Sequence, residues 1–424
     1  MSIKKKTKKI SHDFFNRHPI LKKKLINFFG LNSATITASE YKKVIKSYEA
    51  TVSEAREILA SPEIIIYFYG GMGQTYQIKQ WIDTFIELNK KHKIIVVVRS
   101  EAVQKYFKQL LPFPVKFCNT INQVLSFYET SNPKAIIYIN NGFKNFQSLI
   151  YEDALHIHIN HGESDKSSDH SNQVKGYDYI FVHGPNGYNN YMKYLINLDP
   201  EQLVITGRPQ LDFITPIKLD TFDKKVVLYA PTWEATHRSM NYTSVDIYGE
   251  KIVEQLLEDD RYFFIYKPHP NLGAYDKNVK AIHANLLKQI EKNKYAKTIT
   301  DEDVNNIYPI VDFAIFDMSS IMTDYLNVDK PFMLADVFDP AVHTVSDYNV
   351  LKGCSKLTTE TIDDLIDIID SEIEDDMMRE RRIRVKELYL GSYKQGESIK
   401  KFIASVSDII VQRDEEVARK GVEV

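Results

Sequence analysis

The sequence predicts an α/β protein built from two Rossmann-like, doubly wound units, and three observations carry that expectation. Strand-like and helical runs alternate from Glu63 onward. The strands are unbroken apolar runs, as in Ile94-Ile95-Val96-Val97-Val98. The alternation pauses at a polar, turn-prone stretch around 217–225 and restarts at Val226. Unbroken apolar strands separated by helices indicate parallel sheets covered on both faces. At 424 residues the chain exceeds one ordinary core and fits two domains of roughly 150–200 residues each.

Taken in order, residues 33–60 read as a polar helix, with Tyr41, Val44, Ile45, Tyr48, Val52, Ala55 and Ile58 at three- and four-residue spacing. Strands follow over 63–69, 93–99, 115–119, 135–140, 155–160 and 177–183, alternating with helices over 78–89, 102–111, 121–128 and 146–152. The second unit places strands over 226–230, 262–266, 296–299, 312–316 and 331–335, with helices over 249–259, 278–293 and 321–328. The last sixty or so residues read as helical and highly charged, ending in a helix over about 396–411 that crosses back to the first domain.

Charge is local rather than global. Residues 1–30 hold nine Lys or Arg against Asp13 alone, a net of +8, so the remainder carries −11 of a total of −3. Phe14, Phe15, Ile20, Leu21, Leu25, Ile26, Phe28 and Phe29 lie among those cations. A basic amphipathic segment of this kind suits an anionic membrane surface, where each Lys or Arg contributes about 1 kcal/mol. A solvated tail is the plainer reading, and nucleic acid is disfavoured because the acidic remainder repels a polyanion. No run reaches the roughly 20 apolar residues that cross a bilayer, and no apolar signal-peptide core is present, so a cytoplasmic, peripheral protein is expected. Cys118 and Cys354, the two cysteines, lack a CxxC or His partner and indicate neither a disulfide framework nor zinc.

The chemistry-bearing residues collect at strand exits. In open α/β sheets ligands bind beyond the carboxyl ends of the strands. Lys267-Pro268-His269-Pro270 and Asp317-Met318-Ser319-Ser320 each follow an apolar strand, bringing a cation, an imidazole and two hydroxyls to such a place. A nucleotide or phosphate ester is the ligand this set suits. Flanking prolines stiffen the backbone around His269. Ser319 or Ser320 at a helix N-cap offers a hydroxyl beside outward amides, although capping alone would use one serine. His161 sits past the 155–160 strand and is a candidate base, whereas His156 and His158, alternating along that strand, read as satisfied structural histidines. Gly70-Gly71-Met72-Gly73 forms a glycine-rich turn without dinucleotide spacing or a P-loop lysine. Trp233, in Pro231-Thr232-Trp233, either stacks on a base or closes the core.

In sequence order, Gly73-Gln74 with Tyr76, His161-Gly162 with Lys166, the Gly207, Pro209, Asp212 set, Ala230-Pro231-Thr232-Trp233, His269-Pro270, and Asp317, Ser319-Ser320 and Asp324 with Lys330-Pro331 resemble the CDP-glycerol glycerophosphotransferase family. That family holds the teichoic-acid primases and polymerases of the TagB and TagF type, and the resemblance spans about 64–336. It implies a GT-B fold with the two units facing a central cleft. The implied organisation is a membrane-surface segment over 1–30, an acceptor domain over 31–218, a CDP-donor domain over 219–395 and a returning helix over 396–424. The expected reaction moves glycerol phosphate or ribitol phosphate from a CDP-polyol to a hydroxyl of a lipid-linked saccharide or growing teichoic-acid or capsule polymer, with release of CMP.

On that resemblance His161 and His269 are the catalytic pair, and His269, Ser319 and Ser320 hold the diphosphate. Lys166, Lys267 and Arg208 are supporting cations. Pro231, Thr232, Asp317 and Asp324 complete the donor side, and Gly71, Gly73 and Gln74 form an acceptor-side loop. The family commonly has threonine and proline after the His-Gly pair and arginine after the Pro-Thr-Trp segment. This chain has Glu163, Ser164 and Glu234 there, with Arg238 as the candidate replacement cation. No DxD or metal cluster is present, so no cofactor is expected to be required and Mg2+ enters only as a phosphate counterion. A GT-B glycosyltransferase or epimerase using a UDP-sugar, or a non-catalytic membrane scaffold, are the competing readings. The oligomeric state, the polyol and the choice between single-unit and polymer addition stay open.

Overall fold

The computed structural model describes residues 62–165, 171–236, 241–338 and 349–421. The basic segment 1–30, the helical run 33–60, Lys166 and Arg238 lie outside the described residues. The first sheet contains β1 (Ile64–Phe68), β2 (Ile94–Val98), β3 (Val115–Phe117), β4 (Ala135–Tyr138), β5 (Leu155–His158), β6 (Tyr179–Val182) and β7 (Leu203–Ile205), in the order β3-β2-β1-β4-β5-β6-β7. The second contains β8 (Lys225–Ala230), β9 (Tyr262–Tyr266), β10 (Ala296–Thr298), β11 (Phe313–Phe316), β12 (Phe332–Ala335) and β13 (Ser355–Leu357), in the order β10-β9-β8-β11-β12-β13. Every strand pair is parallel. The expected α/β, doubly wound architecture is therefore present in both units.

Strand alternation sets where each core lies. Along β8, Val226, Leu228 and Ala230 enter one apolar cluster with Phe263, Ile265, Ala314 and Phe316, while Val227 and Tyr229 enter another with Phe264, Tyr266, Phe313 and Ile315. Successive side chains of a strand point to opposite faces, so an unbroken apolar run is what a sheet buried on both sides requires. The first sheet differs on its two faces. Ile64, Ile66 and Phe68 pack with helix residues in one large cluster. On the other face Tyr67, Tyr138, His156, His158 and Tyr177 form a run of ring contacts.

Order reversal occurs between β1 and β4 in one sheet and between β8 and β11 in the other. These are the switch points at which open α/β sheets form their binding crevices. Both sheets belong to one compact unit, Ser61–Val424.

The terminal helix, Glu397–Lys420, brings the chain back to the first unit. Ile399, Phe402, Val406, Ile409 and Ile410 bury themselves in the first sheet's cluster. Its start is held by Asp212, whose carboxylate accepts from Gly396 N (2.7 Å) and Ile399 N (2.8 Å). A carboxylate there satisfies orphan amides and complements the helix dipole. Gly207, at φ +76°, lets the chain pass the helix closely: a Cβ there would lie 2.4 Å from Ser398 Oγ. The Gly207, Pro209, Asp212 set thus docks the returning helix.

Candidate active site

The residues singled out at strand exits arrive from both switch points. Tyr76, in the segment after β1, lies between the two histidines, its ring 6.2 Å edge-on from His161 and 6.2 Å edge-on from His269. His161 follows β5 and His269 follows β9, so one imidazole comes from each sheet. Below them Gly162 meets Ser320 at the start of helix Ser320–Tyr325; a Cβ on Gly162 would stand 2.7 Å from both Ser320 Cβ and Oγ. Only a glycine permits that approach.

His161 is aimed by its own backbone. Asn160 adopts φ +54°, and its Oδ1 accepts from His161 N at 2.8 Å. Burial and the nearby Arg208 charge push the imidazole down to about 4, with the Ile139 backbone pulling weakly upward. His161 is therefore neutral at pH 7, the form a base must have. His269 is held on three sides. Its N–H donates to Pro231 O at 3.2 Å, its Nδ1 accepts from Asn271 N at 3.1 Å, and Trp233 stacks on the ring at 5.9 Å and 19°. With Nδ1 accepting, a neutral His269 carries its proton on Nε2. Trp233 is thus a platform for the histidine, itself backed by Tyr275 at 5.4 Å.

Several residues assigned to phosphate binding make other contacts. Arg208 and Asp324 are each 3% exposed and form a two-point ion pair, Nε to Oδ1 at 3.0 Å and Nη2 to Oδ2 at 3.1 Å. Arg208 Nη2 also donates to Gln80 Oε1 (2.9 Å) and to the His161 carbonyl (3.2 Å). A guanidinium so engaged clamps the two units and is not open to a phosphate. Asp317 is fully buried, and its Oδ2 accepts from Thr232 N (2.7 Å) and Ser244 N (3.2 Å). It therefore ties the β8 loop to β11. Thr232 is buried as well, with its amide used in that contact.

Ser319 is the N-cap residue of helix Ser320–Tyr325, yet its hydroxyl turns back to the Asp317 carbonyl at 3.2 Å. Lys267, 8% exposed, donates through Nζ to Thr300 O at 3.0 Å. Burial lowers its pKa against the upward pull of Asp303, Asp301 and Glu302. Gly71 and Gly73 are exposed, and a Cβ on either would meet nothing. Gln74 folds back so that its Oε1 accepts from Gly71 N at 3.2 Å, and it lines a cavity beside His161.

The departures from the family pattern have structural employment. Glu163 Oε1 accepts from His183 N at 2.9 Å, and its carbonyl accepts from Thr323 Oγ1 at 2.9 Å, a bond between the two units. Glu234 accepts from Gly273 N (2.9 Å), Tyr275 N (2.6 Å) and Asp276 N (3.0 Å). Burial raises its pKa, but those amide donors outweigh it and the net shift is downward. Glu234 thereby shapes the loop that begins at His269.

Sequence reasoning undervalued two groups. Tyr76 entered only as part of a motif, although its ring touches both catalytic candidates. His158, read as satisfied, is not: neither ring nitrogen has a hydrogen-bond partner, whereas His156 is satisfied by Tyr138 Oη and Tyr151 O, each at 2.8 Å. Among the described residues no group of three or more His, Cys, Asp or Glu is arranged to hold a metal ion.

A family model described as CDP-Glycerol:Poly(glycerophosphate) glycerophosphotransferase matches residues 122–407, which include both histidines and Ser319-Ser320. The chain belongs to that family. Its relatives include a teichoic acid poly(ribitol-phosphate) polymerase of Bacillus spizizenii, 24% identical over 221 residues, which are 48% of this chain and 34% of that protein. A teichoic acid glycerol-phosphate transferase of Staphylococcus aureus is 24% identical over 172 residues, 37% of this chain and 40% of that protein. The chain thus matches about a third to two-fifths of the length of these relatives. Among solved structures, the wall teichoic acid polymerase TagF superposes with a TM-score of 0.57 at 14% identity, covering 89% of this chain and 100% of that one. A UDP-N-acetylglucosamine 2-epimerase from Listeria monocytogenes superposes with a TM-score of 0.56 at 11% identity, covering 83% and 97%. At such identities these neighbours establish the fold, which is GT-B-like.

Proposed function

We propose that the chain transfers a polyol phosphate from a CDP-activated donor to a hydroxyl on a lipid-linked saccharide or growing polymer. The supporting observation is the convergence of His161 and His269, one from each sheet, on the ring of Tyr76. Family membership supplies the reaction class, and the relatives named above act on glycerol phosphate and ribitol phosphate. A TagF crystal soaked with CDPG has the same fold, with a TM-score of 0.56.

In this reading the acceptor hydroxyl attacks the phosphorus that bears the polyol. A new P–O bond forms, the P–O bond to the bridging oxygen breaks, and CMP leaves with that electron pair. The hydroxyl proton passes to neutral His161. His269 would help to hold the diphosphate, and Ser320, at the Gly162 contact, lies on the same side of the site. Catalysis of this kind is positioning plus charge stabilisation, and one preorganised contact typically contributes about 3–4 kcal/mol. Lys267 and Lys166 remain candidate counter-charges, and Mg2+ a candidate phosphate counterion. The basic segment 1–30 would hold the protein at the anionic membrane surface where a lipid-linked acceptor lies.

The test is incubation with CDP-glycerol and CDP-ribitol separately, in the presence of a lipid-linked acceptor, with release of CMP as readout. CMP release with either donor supports the reading. No release with either, together with thermal protection by UDP and none by CDP, overturns it in favour of a UDP-sugar enzyme.

A further inference from the structure

A cavity of about 290 Å³ opens beside His161 at the carboxyl ends of β1, β4 and β5, on the side of the first sheet only. Its polar lining includes five amide side chains, Gln74, Gln77, Asn140, Asn141 and Asn160, with the imidazoles of His158 and His161 and the tyrosines Tyr69 and Tyr191. Among the described residues that line it there is no lysine, arginine or carboxylate. The size is near the lower end of cavities that hold small molecules.

His158 decides what such a cavity can take. It is 1% exposed, stacks on Tyr177 at 5.0 Å and 13°, and has no partner at either ring nitrogen. Burial, with His161 beside it, pushes its pKa down to about 3, so the ring is neutral and offers one donor and one acceptor. A buried polar group left without a partner is costly, and a hydroxyl, which both donates and accepts, is its natural complement. Amides have the same double capacity. The described lining offers a phosphate or carboxylate no side chain of opposite charge, and a buried unpaired charge is costly.

We infer that this cavity binds an uncharged, polyhydroxylated carbon unit, a polyol or a sugar ring, and that His158 is the residue that reads its hydroxyls. Such a unit has two sources in the proposed reaction, the polyol of the donor or the terminal unit of the acceptor. The inference rests on that reading for the source of the ligand, and on the cavity itself for its chemistry. A hydroxyl-bearing carbon held there lies beside His161.

The experiment uses saturation-transfer NMR on the full chain. The neutral probes are glycerol, ribitol and a methyl glucoside; glycerol 3-phosphate and ribitol 5-phosphate are the charged ones. At least one neutral probe is expected to bind, to bind more tightly than its phosphate, and to lose at least 10-fold in affinity in His158→Phe, which keeps the ring stacked on Tyr177. Asn141→Ala, at a half-buried position, provides a second variant should the first fail to fold, with a several-fold loss expected. Equal binding by wild type and both variants, or tighter binding of the phosphates, overturns the inference. Titrating CDP and CDP-glycerol into His158→Phe separates the sources. A loss confined to CDP-glycerol places the donor polyol in the cavity, whereas unchanged donor affinity with a raised acceptor KM places the acceptor there. If no CMP is released under any condition, the proposed activity fails while the NMR result still decides the cavity.

Discussion

At the scale of single residues, the site turns on two imidazoles in different surroundings. His161 is neutral because burial and Arg208 oppose its protonation, and its value of about 4 sets where activity should fade. The acid limb of kcat/KM for CMP release should fall near pH 4 rather than near the usual histidine value of about 6.5. His161→Ala should bind CDP normally yet lose roughly 10²–10⁴-fold in turnover, the usual worth of a general base. Near-normal turnover would remove it from that role. The placement of His269 just past a strand was legible in the sequence because an apolar run precedes it and prolines flank it. The support from Trp233 was not, since stacking depends on how the β8 and β9 loops meet in space. Arg208 illustrates the opposite error. A lone arginine beside phosphate-like motifs reads as an anion ligand, and only the fold reveals that Asp324, 116 residues later, already occupies it.

Elements were legible where burial on both faces demands unbroken apolar runs, as in β1, β2, β8, β9 and β11. β7 and β13 were not anticipated. They are three-residue strands, and the Ser355-Lys356-Leu357 strand has one buried apolar side chain, too little to show a period. The terminal helix, expected within 396–424, runs on to Lys420 beyond the apolar stretch that ends near 411, because polar residues continue to dock it: Arg413 donates to Asp153 O, and Lys134 pairs with Asp414 at 2.5 Å. Its start should be sensitive to one carboxylate. Asp212→Ala removes two acceptors from the first turn and should cost about 1–2 kcal/mol by urea unfolding. Gly162→Ala tests the contact between the His161 loop and helix Ser320–Tyr325. The added methyl meets Ser320 at 2.7 Å, so that loop and helix must part. Overpacking of this kind costs about 1–3 kcal/mol. CMP release should fall at least 10-fold, and Gly162→Ala with Ser320→Gly should recover part of it. An unchanged rate in Gly162→Ala would mean that the spacing between loop and helix does not matter to catalysis.

For the molecule as a whole, two collective properties follow from the buried titratable groups. The unfolded chain protonates His158 near 6.5, whereas the folded protein resists until about 3. The unfolded state therefore binds more protons across that window, and stability rises with pH through it. The contribution of His158 is complete above about 6.5 and is lost as pH falls towards 3. His158→Phe should flatten the dependence of Tm on pH below 6.5; an identical slope to wild type would contradict the depressed value. The second property is how the units hold together. Arg208 and Asp324 are buried and paired across the site, alongside the Glu163–Thr323 bond and the Tyr389 hydroxyl bound to Asp165. Removing one member of a buried pair leaves an uncompensated charge, typically at a cost of about 3–5 kcal/mol, while replacing both by apolar groups is often neutral. Arg208→Met should thus lower stability by about that amount, and Arg208→Met with Asp324→Leu should regain most of it. Activity should not return with stability, because the same guanidinium holds the His161 carbonyl at 3.2 Å. Chemical denaturation and CMP release on the same three proteins separate the two roles. Recovery of both in the double variant would reduce Arg208 to a clamp and leave the aim of His161 to Asn160 and Tyr76.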